Sequence, residues 1–409
     1  MSPGIAERNP KSRRLLSDVK VLLVAATTGY QVRTFASAAR KLGIECVLAT
    51  DRCHVLEDPW ADRAIAIKFD RLEPNSVTGH FDGIVAVGDK PALVAAQIAE
   101  ELGISFHSAS AVRVCNDKHL TREALRDAGM LTPEFSLVGI HDEPRAVRYP
   151  CVLKALHLSA SRGVIRANND QEYRQVRDRI AAMRVGEQLQ VEAYIPGEEF
   201  ALEGLVREGR LQTLAIFAKP DPLVGPFFEE TIYVTTDQHR DEISQTTQAA
   251  VRALGLKNGP VHAEMRVNDH GVWMLEVAAR PIGGLCAGVA RFEPGGISLE
   301  ELILRHAIGE DPTGFTREER PAGVMMIPVP AAGILENVSG VEDARAIPGI
   351  DGVVITAKVG HALVPLPEGA SYPGFLFAHA DTEAEVVATL KDAHAKMHFQ
   401  VLAKLPVRV

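Results

Sequence analysis

Between residues 19 and 110, short apolar runs alternate with helical patterns, and this alternation restricts the fold more than any other feature of the chain. VKVLLVAAT reads as a strand, and RTFASAARKLG as a helix ended by Gly43. IECVLAT and DGIVAVG are further strands, and KPALVAAQIAEELG is a helix ended by Gly103. Strands separated by helices of roughly 10–15 residues pair in parallel. The expected N-terminal unit is therefore a Rossmann-like parallel sheet. Its first turn, TTGYQ, lacks G-x-G-x-x-G, so the dinucleotide fingerprint is absent. The polar stretch MSPGIAERNPKSRRLLSD ahead of it reads as a disordered arm, and VKVLLVAAT is too short for a signal or a membrane span.

At 409 residues, one core does not suffice, and two to four units are expected. We expect residues 1–112 as the Rossmann-like domain, 113–185 as a small lid subdomain, 186–320 as a strand-rich core and 321–409 as a C-terminal lobe. The fold class is α/β, with α+β character in the core. A composition of 46% hydrophobic and 24% charged residues is that of a globular protein. The net charge of -9 argues against a nucleic-acid scaffold while leaving room for a local phosphate pocket. Neither a nucleic-acid nor a membrane partner is expected. The five cysteines, Cys46, Cys53, Cys115, Cys151 and Cys286, form no C-x-x-C pair and are odd in number, which suits a reduced, cytoplasmic compartment.

The segment Gly259–Gly284, GPVHAEMRVNDHGVWMLEVAARPIGG, carries the most chemical information. HAEMRV and VWMLEV read as the two strands of a hairpin, with Asp269-His270-Gly271 as a three-residue loop. That register places Glu264 opposite Glu276. Two carboxylates facing each other repel, and a hard divalent ion bound with phosphate oxygens resolves the repulsion. Arg280, four residues after Glu276, would point into the same site and could steady a developing anion. His262 shares a face with Glu264 and either touches substrate or bonds locally. Gly283 and Gly284 would let backbone approach a substrate carboxylate.

Other residues suggest a nucleotide. Lys154 sits inside the apolar run VLKAL as a candidate phosphate contact, followed by the loop HLSASRGV, whose Ser159, Ser161 and Gly163 could cradle phosphate oxygens. In QVEAYIPGEEF, Glu192 interrupts an apolar run, and Glu199 stands where a carboxylate could hold ribose hydroxyls. The segment KPDPLVGPFFEETIYVTT is either a plain crossover or a substrate-facing loop, with Phe227, Phe228 and Glu229 nearest the acceptor. Neither a zinc cluster nor a nucleophile elbow is visible.

Taken in order, NDKHLTREALRDAGMLTPEF, YPCVLKALHLSASRGV, QVEAYIPGEEF and the hairpin resemble the ATP-grasp superfamily over nearly the full length. Within it, the chain is most similar to the L-amino-acid (dipeptide) ligases of the carbamoyl-phosphate-synthetase/biotin-carboxylase branch. The resemblance implies an ATP-grasp fold and an ADP-forming carboxylate–amine ligase working through an acylphosphate. It also implies ATP and Mg²⁺ as cofactors, with Mn²⁺ as a substitute and two ions bound, small-molecule acid and amine substrates, and a homodimer. By resemblance, Lys118 and Lys154 hold the phosphates and the Ser159–Gly163 loop covers them. Glu192, Ala193 and Ile195 line the adenine, and Glu199 takes the ribose. Glu264 and Glu276 bind metal, and Arg280 stabilises the tetrahedral intermediate. Two departures stand out. The phosphate loop has one glycine, and Ala278 replaces the metal-side asparagine common in the superfamily, which favours the dipeptide-ligase branch. The competing readings are an ATP-grasp carboxylase, a carboxylate–thiol ligase and a non-catalytic ATP-binding regulator. No biotinyl M-K-M motif is present.

Overall fold

A computed structural model describes residues 18–26, 31–51, 64–71, 73, 75–143, 147–369 and 371–403. The polar arm before residue 18, Cys53 and most of the first turn, 27–30, lie outside the described residues. The N-terminal unit comprises β1 (Lys20–Ala25), α1 (Gln31–Leu42), β2 (Glu45–Thr50), β3 (Ile65–Ala66), β4 (Gly83–Val87) and α2 (Asp89–Leu102). Its four strands run parallel in the order β3-β2-β1-β4. In α1, Val32, Phe35, Ala39 and Leu42 recur at helical spacing and are buried. In α2, Gly103 adopts φ 69° and caps the helix through its N–H to Ala99 O.

Two short helices follow, α3 (Ala109–Cys115) and α4 (Lys118–Asp127). The Asp117 carboxylate accepts from His119 N and Leu120 N, which starts α4 and fixes the origin of Lys118. The next unit holds β5 (Phe135–Gly139), β6 (Cys151–Ala155), β7 (Val164–Ala167), α5 (Asp170–Ala182) and β8 (Gln188–Ala193). The strands form an antiparallel sheet in the order β5-β8-β6-β7. Tyr173, Val176 and Ile180 of α5 join its core. The strand in LQVEAYI, grouped with the core in the sequence reading, is β8 and sits in this small sheet between β5 and β6.

The large sheet uses β9 (Glu198–Arg207), β10 (Arg210–Lys219), β11 (Ile232–Thr236), β12 (Gly259–Asn268) and β13 (Gly271–Ala278). Helix α6 (Arg240–Ala253) separates β11 from β12 and has no counterpart in the sequence reading. Strands Ala322–Met326, Gly374–His379 and Ile350–Ile355 extend the same sheet beyond β11. The C-terminal lobe thus continues the central sheet. One core joins Val94 and Ile98 of α2 to Leu202 and Ala263, and another joins Phe35 to Leu205, Phe217 and Phe375. The N-terminal unit is therefore packed against the sheet that carries the hairpin.

The hairpin corrects the expected loop and keeps the expected pair. Asn268 pairs with Gly271, so the loop has two residues, Asp269 and His270. The Asn268 carboxamide oxygen accepts from His270 N at 2.9 Å and Trp273 Nε1 at 3.1 Å, and Gly271 takes φ 117°. Further in, a β-bulge leaves Leu275 without a partner opposite β12. The two one-residue offsets cancel, and Glu264 faces Glu276. The bulge also frees the Leu275 carbonyl to accept from Arg122 Nη2.

Candidate active site

A single cavity gathers most of the residues singled out above. It is lined by Lys118, Lys154, Ser159, Ser161, Glu192, Ala193, Ile195, Glu199, Phe228, His262, Glu264, Glu276, Arg280, Gly283 and Gly284. Pleating explains the contribution of β12. Ala263 and Met265 enter the core, while His262, Glu264 and Arg266 face the cavity.

At one end, Lys154 projects from β6 and lies 2.6 Å from Glu192 on β8. Arg122 of α4 lies 2.8 Å from the same carboxylate, and Gln190 Nε2 donates to it at 2.7 Å. Burial alone would raise the Glu192 pKa, but the Arg122 and Lys154 charges overcome it and hold the carboxyl at about 2. Glu192 is thus an anchor for Lys154. Lys118 Nζ donates to Leu158 O at the start of the serine loop. Ala193, Tyr194 and Ile195 then line the wall beside Phe228, whose ring stacks on Tyr194 with centroids 6.4 Å apart.

The serine loop divides into two parts. Ala160 and Ser161 adopt φ 57° and 54°, and with Ser159 they face the cavity. Gly163 does not line it. Its N–H donates to Pro367 O at 3.2 Å, and Arg162 Nε donates to Glu368 O at 3.2 Å. A Cβ at Gly163 would sit 3.1 Å from the Ala155 Cβ with φ at +61°, so the glycine serves chain geometry. Arg179 clamps the Glu368 carboxylate at 2.7 and 3.1 Å. The 159–161 segment is expected to gain amide hydrogen-exchange protection when an ATP analogue and Mg²⁺ bind, with Gly163 protected in both states. Equal protection of 159–161 with and without nucleotide would rule out a phosphate-covering role.

Three expectations change at the centre. Glu199, the anticipated ribose ligand, is buried and engaged by Arg266 Nε at 2.8 Å and Lys219 Nζ at 3.1 Å. His262 has both ring nitrogens in use, Nδ1 with Glu203 and Nε2 with Glu264 at 3.2 Å, so it bonds locally. In the 220–235 segment, Phe228 lines the cavity but Phe227 packs on the small sheet beneath Arg179, and Glu230 takes the cavity position in place of Glu229.

Several site residues escaped the sequence reading. Lys219 is fully buried, with its ammonium 3.1, 3.0 and 3.0 Å from Glu199, Glu230 and Glu264. The signal available was a lysine ending the apolar run LAIFAK, as Lys154 interrupts VLKAL. Burial would lower the Lys219 pKa, but the three carboxylates hold it well above the usual lysine value. Burial together with the Glu264 charge raises Glu230 to about 7. The N-terminal unit also contributes. Asp89 Oδ1 lies 2.6 Å from Arg280 Nε, and Gln31 Nε2 donates to Ile282 O.

The donor set suits a hard divalent ion. The Lys219 and His262 contacts both fall on Glu264 Oε1, which leaves Oε2 available. Among the described residues, Glu276 makes no hydrogen bond or ion-pair contact. The pair offers hard oxygen donors of the kind Mg²⁺ takes, while the three carboxylates whose oxygens lie within 4.8 Å of one another among the described residues are Glu199, Glu230 and Glu264, around the Lys219 ammonium.

His262 also gives the site a pH dependence. Burial would lower its pKa, but Glu203 and Glu264 outweigh that and raise it to about 9, so the imidazolium bridges two carboxylates at neutral pH. A raised folded-state pKa stabilises the fold fully below the unfolded value of about 6.5, and that stabilisation is lost as pH climbs through about 9. The metal-free melting temperature should therefore fall between pH 6.5 and 9, and His262→Gln should flatten that limb. An identical slope in the variant would remove His262 as its source.

Residues 147–289 match the ATP-grasp domain, and residues 325–402 match the L-amino acid ligase C-terminal domain 2. The fold is similar to that of an L-amino acid ligase from Bacillus licheniformis, with a TM-score of 0.79 and 24% identity, covering 94% of this chain and 99% of that one. A carboxyaminoimidazole ribonucleotide synthase from Aspergillus clavatus, solved with ATP, superposes with a TM-score of 0.70 and 16% identity over 93% of this chain and 99% of the other. Dapdiamide A synthase of Enterobacter agglomerans is 23% identical over 309 residues, which span 69% of this chain and 72% of that protein. No helix among the described residues is long and apolar enough to cross a membrane. The chain thus carries an ATP-grasp domain over residues 147–289 and, behind it, the L-amino acid ligase C-terminal domain 2 over residues 325–402.

Proposed function

We propose that the protein is an ADP-forming carboxylate–amine ligase that joins amino acids, or a related small acid and amine, through an acylphosphate. The observation that carries this reading is the convergence of Lys118, Lys154, Arg280 and the facing Glu264–Glu276 pair on one cavity. A substrate carboxylate oxygen attacks the γ-phosphorus, the bond to the β–γ bridging oxygen breaks, and ADP leaves. The amine nitrogen then attacks the acyl carbon, loses a proton, and the C–O bond to phosphate breaks. No protein nucleophile is needed. Cys286 lines the cavity, but burial holds its thiol far above the range in which a thiolate forms at neutral pH.

The residues act by position and charge. Lys118 and Lys154 would hold phosphate oxygens, with Lys154 steadied by Glu192. Ala193 and Ile195 would line the adenine, beside the Tyr194 ring. Lys219 and Arg266 fix Glu199, leaving only its rim to meet a ribose. Arg280 faces the acyl group. Bound Mg²⁺, or Mn²⁺ in its place, would neutralise phosphate charge. Two ions are part of the reading, with phosphate oxygens completing the few ligands that Glu264 and Glu276 supply. A cytoplasmic homodimer completes it, and sedimentation velocity tests the dimer. The proposed units are 1–112, 113–185, 186–320 and 321–409, except that β8 pairs with the lid strands β5 and β6.

The deciding experiment incubates the protein with ATP, Mg²⁺ and pooled amino acids, and measures ADP release together with product masses. ADP release that requires two substrates, with a product lighter than their sum by one water, supports the ligase. Release that requires bicarbonate or a thiol selects a competing ATP-grasp chemistry. Tight ATP binding without turnover selects a regulator.

A further inference from the structure

We infer that Asp89 is a positioning residue for acyl transfer, holding Arg280 so that one terminal nitrogen of its guanidinium meets the reacting substrate. The inference rests on the ligase reading above. Asp89 opens α2 in the N-terminal unit and Arg280 follows β13, 191 positions later in the chain. Oδ1 and Nε lie 2.6 Å apart, and both residues line the cavity.

A carboxylate in a cavity that receives phosphates is unfavourable unless it has a specific partner. The simplest alternative, an acid placed to favour a helix N-terminus, does not account for its aim. Gly88 is the N-cap residue, no side-chain capping bond is made there, and the Asp89 carboxylate bonds Arg280. Asp89 is itself held, since its carbonyl accepts from Asn116 Nδ2 at 2.7 Å.

The consequence for Arg280 is geometric. Nε is taken by Asp89, and Nη1 donates to Pro281 O at 3.1 Å. Among the described residues, Nη2 has no protein acceptor. Because the guanidinium is planar, fixing Nε and Nη1 fixes where Nη2 points. Glu276 makes no ion-pair contact with Arg280, so the hairpin does not hold the arginine in place of Asp89. A contact at the edge of the N-terminal unit therefore sets the donor that would face the acyl carbon's developing oxyanion.

The test is a double-mutant cycle with Asp89→Asn, Arg280→Lys and the pair. Asp89→Asn keeps the shape and removes the charge. It is expected to lower kcat about 10–100-fold, the usual cost of removing an orienting partner, with nucleotide-analogue affinity changed by less than about threefold. In the Arg280→Lys background the same change should cost less than about twofold, because the group it orients is gone. Equal losses in both backgrounds would overturn the inference while leaving the ligase reading in place. If the unaltered protein releases no ADP with any acid and amine, the ligase reading fails and the transfer role falls with it. Arginine Nε–H spectra of ¹⁵N-labelled protein read the pair without turnover. The shifted resonance lost in Arg280→Lys should also be lost in Asp89→Ala, which removes the acceptor, while Asp89→Glu should keep it in part. Its persistence in Asp89→Ala would show that the pair does not form in solution and would overturn the inference.

Discussion

Glu276→Gln is expected to reduce ATP turnover by roughly 10²–10³-fold, the loss that follows from several kcal/mol of metal stabilisation, while the protein melts close to the unaltered one in EDTA. The fold uses only one of the two facing carboxylates. Glu264 accepts from Lys219 and His262 and sits in a buried charge cluster. Glu276 has neither a hydrogen bond nor an ion pair among the described residues. Removing its charge relieves the cross-strand repulsion with Glu264 and gives up a through-space attraction to Arg280, which keeps its closer partner Asp89. These effects oppose one another, so stability changes little. Glu264→Gln is the informative contrast. It strips one counter-charge from Lys219 and one from His262, and breaking buried pairs of that kind costs on the order of 3 kcal/mol. If Glu276→Gln melts far below the unaltered protein in EDTA, Glu276 is structural and the metal assignment fails.

The contrast between these two glutamates also shows where sequence reasoning reaches its limit. The pair itself was legible, because alternation along HAEMRV and VWMLEV permits few registers. The expected loop was one residue too long, and the bulge at Leu275 added one residue back, so the pairing survived two compensating offsets. Local strength of pattern explains what could be read: β1 carries an unbroken apolar run, and α1 and α2 carry buried faces closed by Gly43 and Gly103. By contrast, β8 looks like any core strand, and only its partners β5 and β6 assign it to the lid sheet.

Asp89 and Gln31 were missed because they act through contacts distant in sequence, while Lys219 and Glu230 lie close together in the chain and join the site only where Glu199 and Glu264 meet them. The 191-residue separation between Asp89 and Arg280 leaves no local trace. Glu199 was singled out by position and lines the cavity, yet its charge is answered by Lys219 and Arg266. A buried carboxylate must be paired or protonated, and a sequence does not display the partner. His262 was ambiguous for the same reason until Glu203 supplied its second contact. A run of apolar residues interrupted by a charge marks a site, while the tertiary fold decides which charges meet the substrate and which meet each other.

Arg280→Lys should damage the chemical step more than nucleotide binding, lowering kcat about 10²–10³-fold, as removal of a preorganised oxyanion donor does. Lysine can keep the charge and, at best, one contact with Asp89. It cannot bond Asp89, Pro281 O and an acyl oxygen at once from a planar frame, as the present geometry of Nε and Nη1 allows Arg280 to do. Burial lowers the guanidinium pKa and the Asp89 carboxylate more than compensates, so Arg280 stays cationic and the substitution tests shape rather than charge. The interaction strengthens only as charge develops on the acyl oxygen or departing phosphate, so the loss belongs in kcat. Lys118 and Lys154 remain in place at the phosphate end, so affinity for an ATP analogue should be nearly unchanged. The structural alternative is that Arg280 only ties the N-terminal unit to the hairpin through Asp89. In that case the variant would melt lower, yet turn over at close to the normal rate once saturated. Titrating the variant with an ATP analogue and measuring saturated turnover separates the two, since collapsed nucleotide affinity with surviving kcat would move Arg280 out of the acyl-transfer step and into the ATP site.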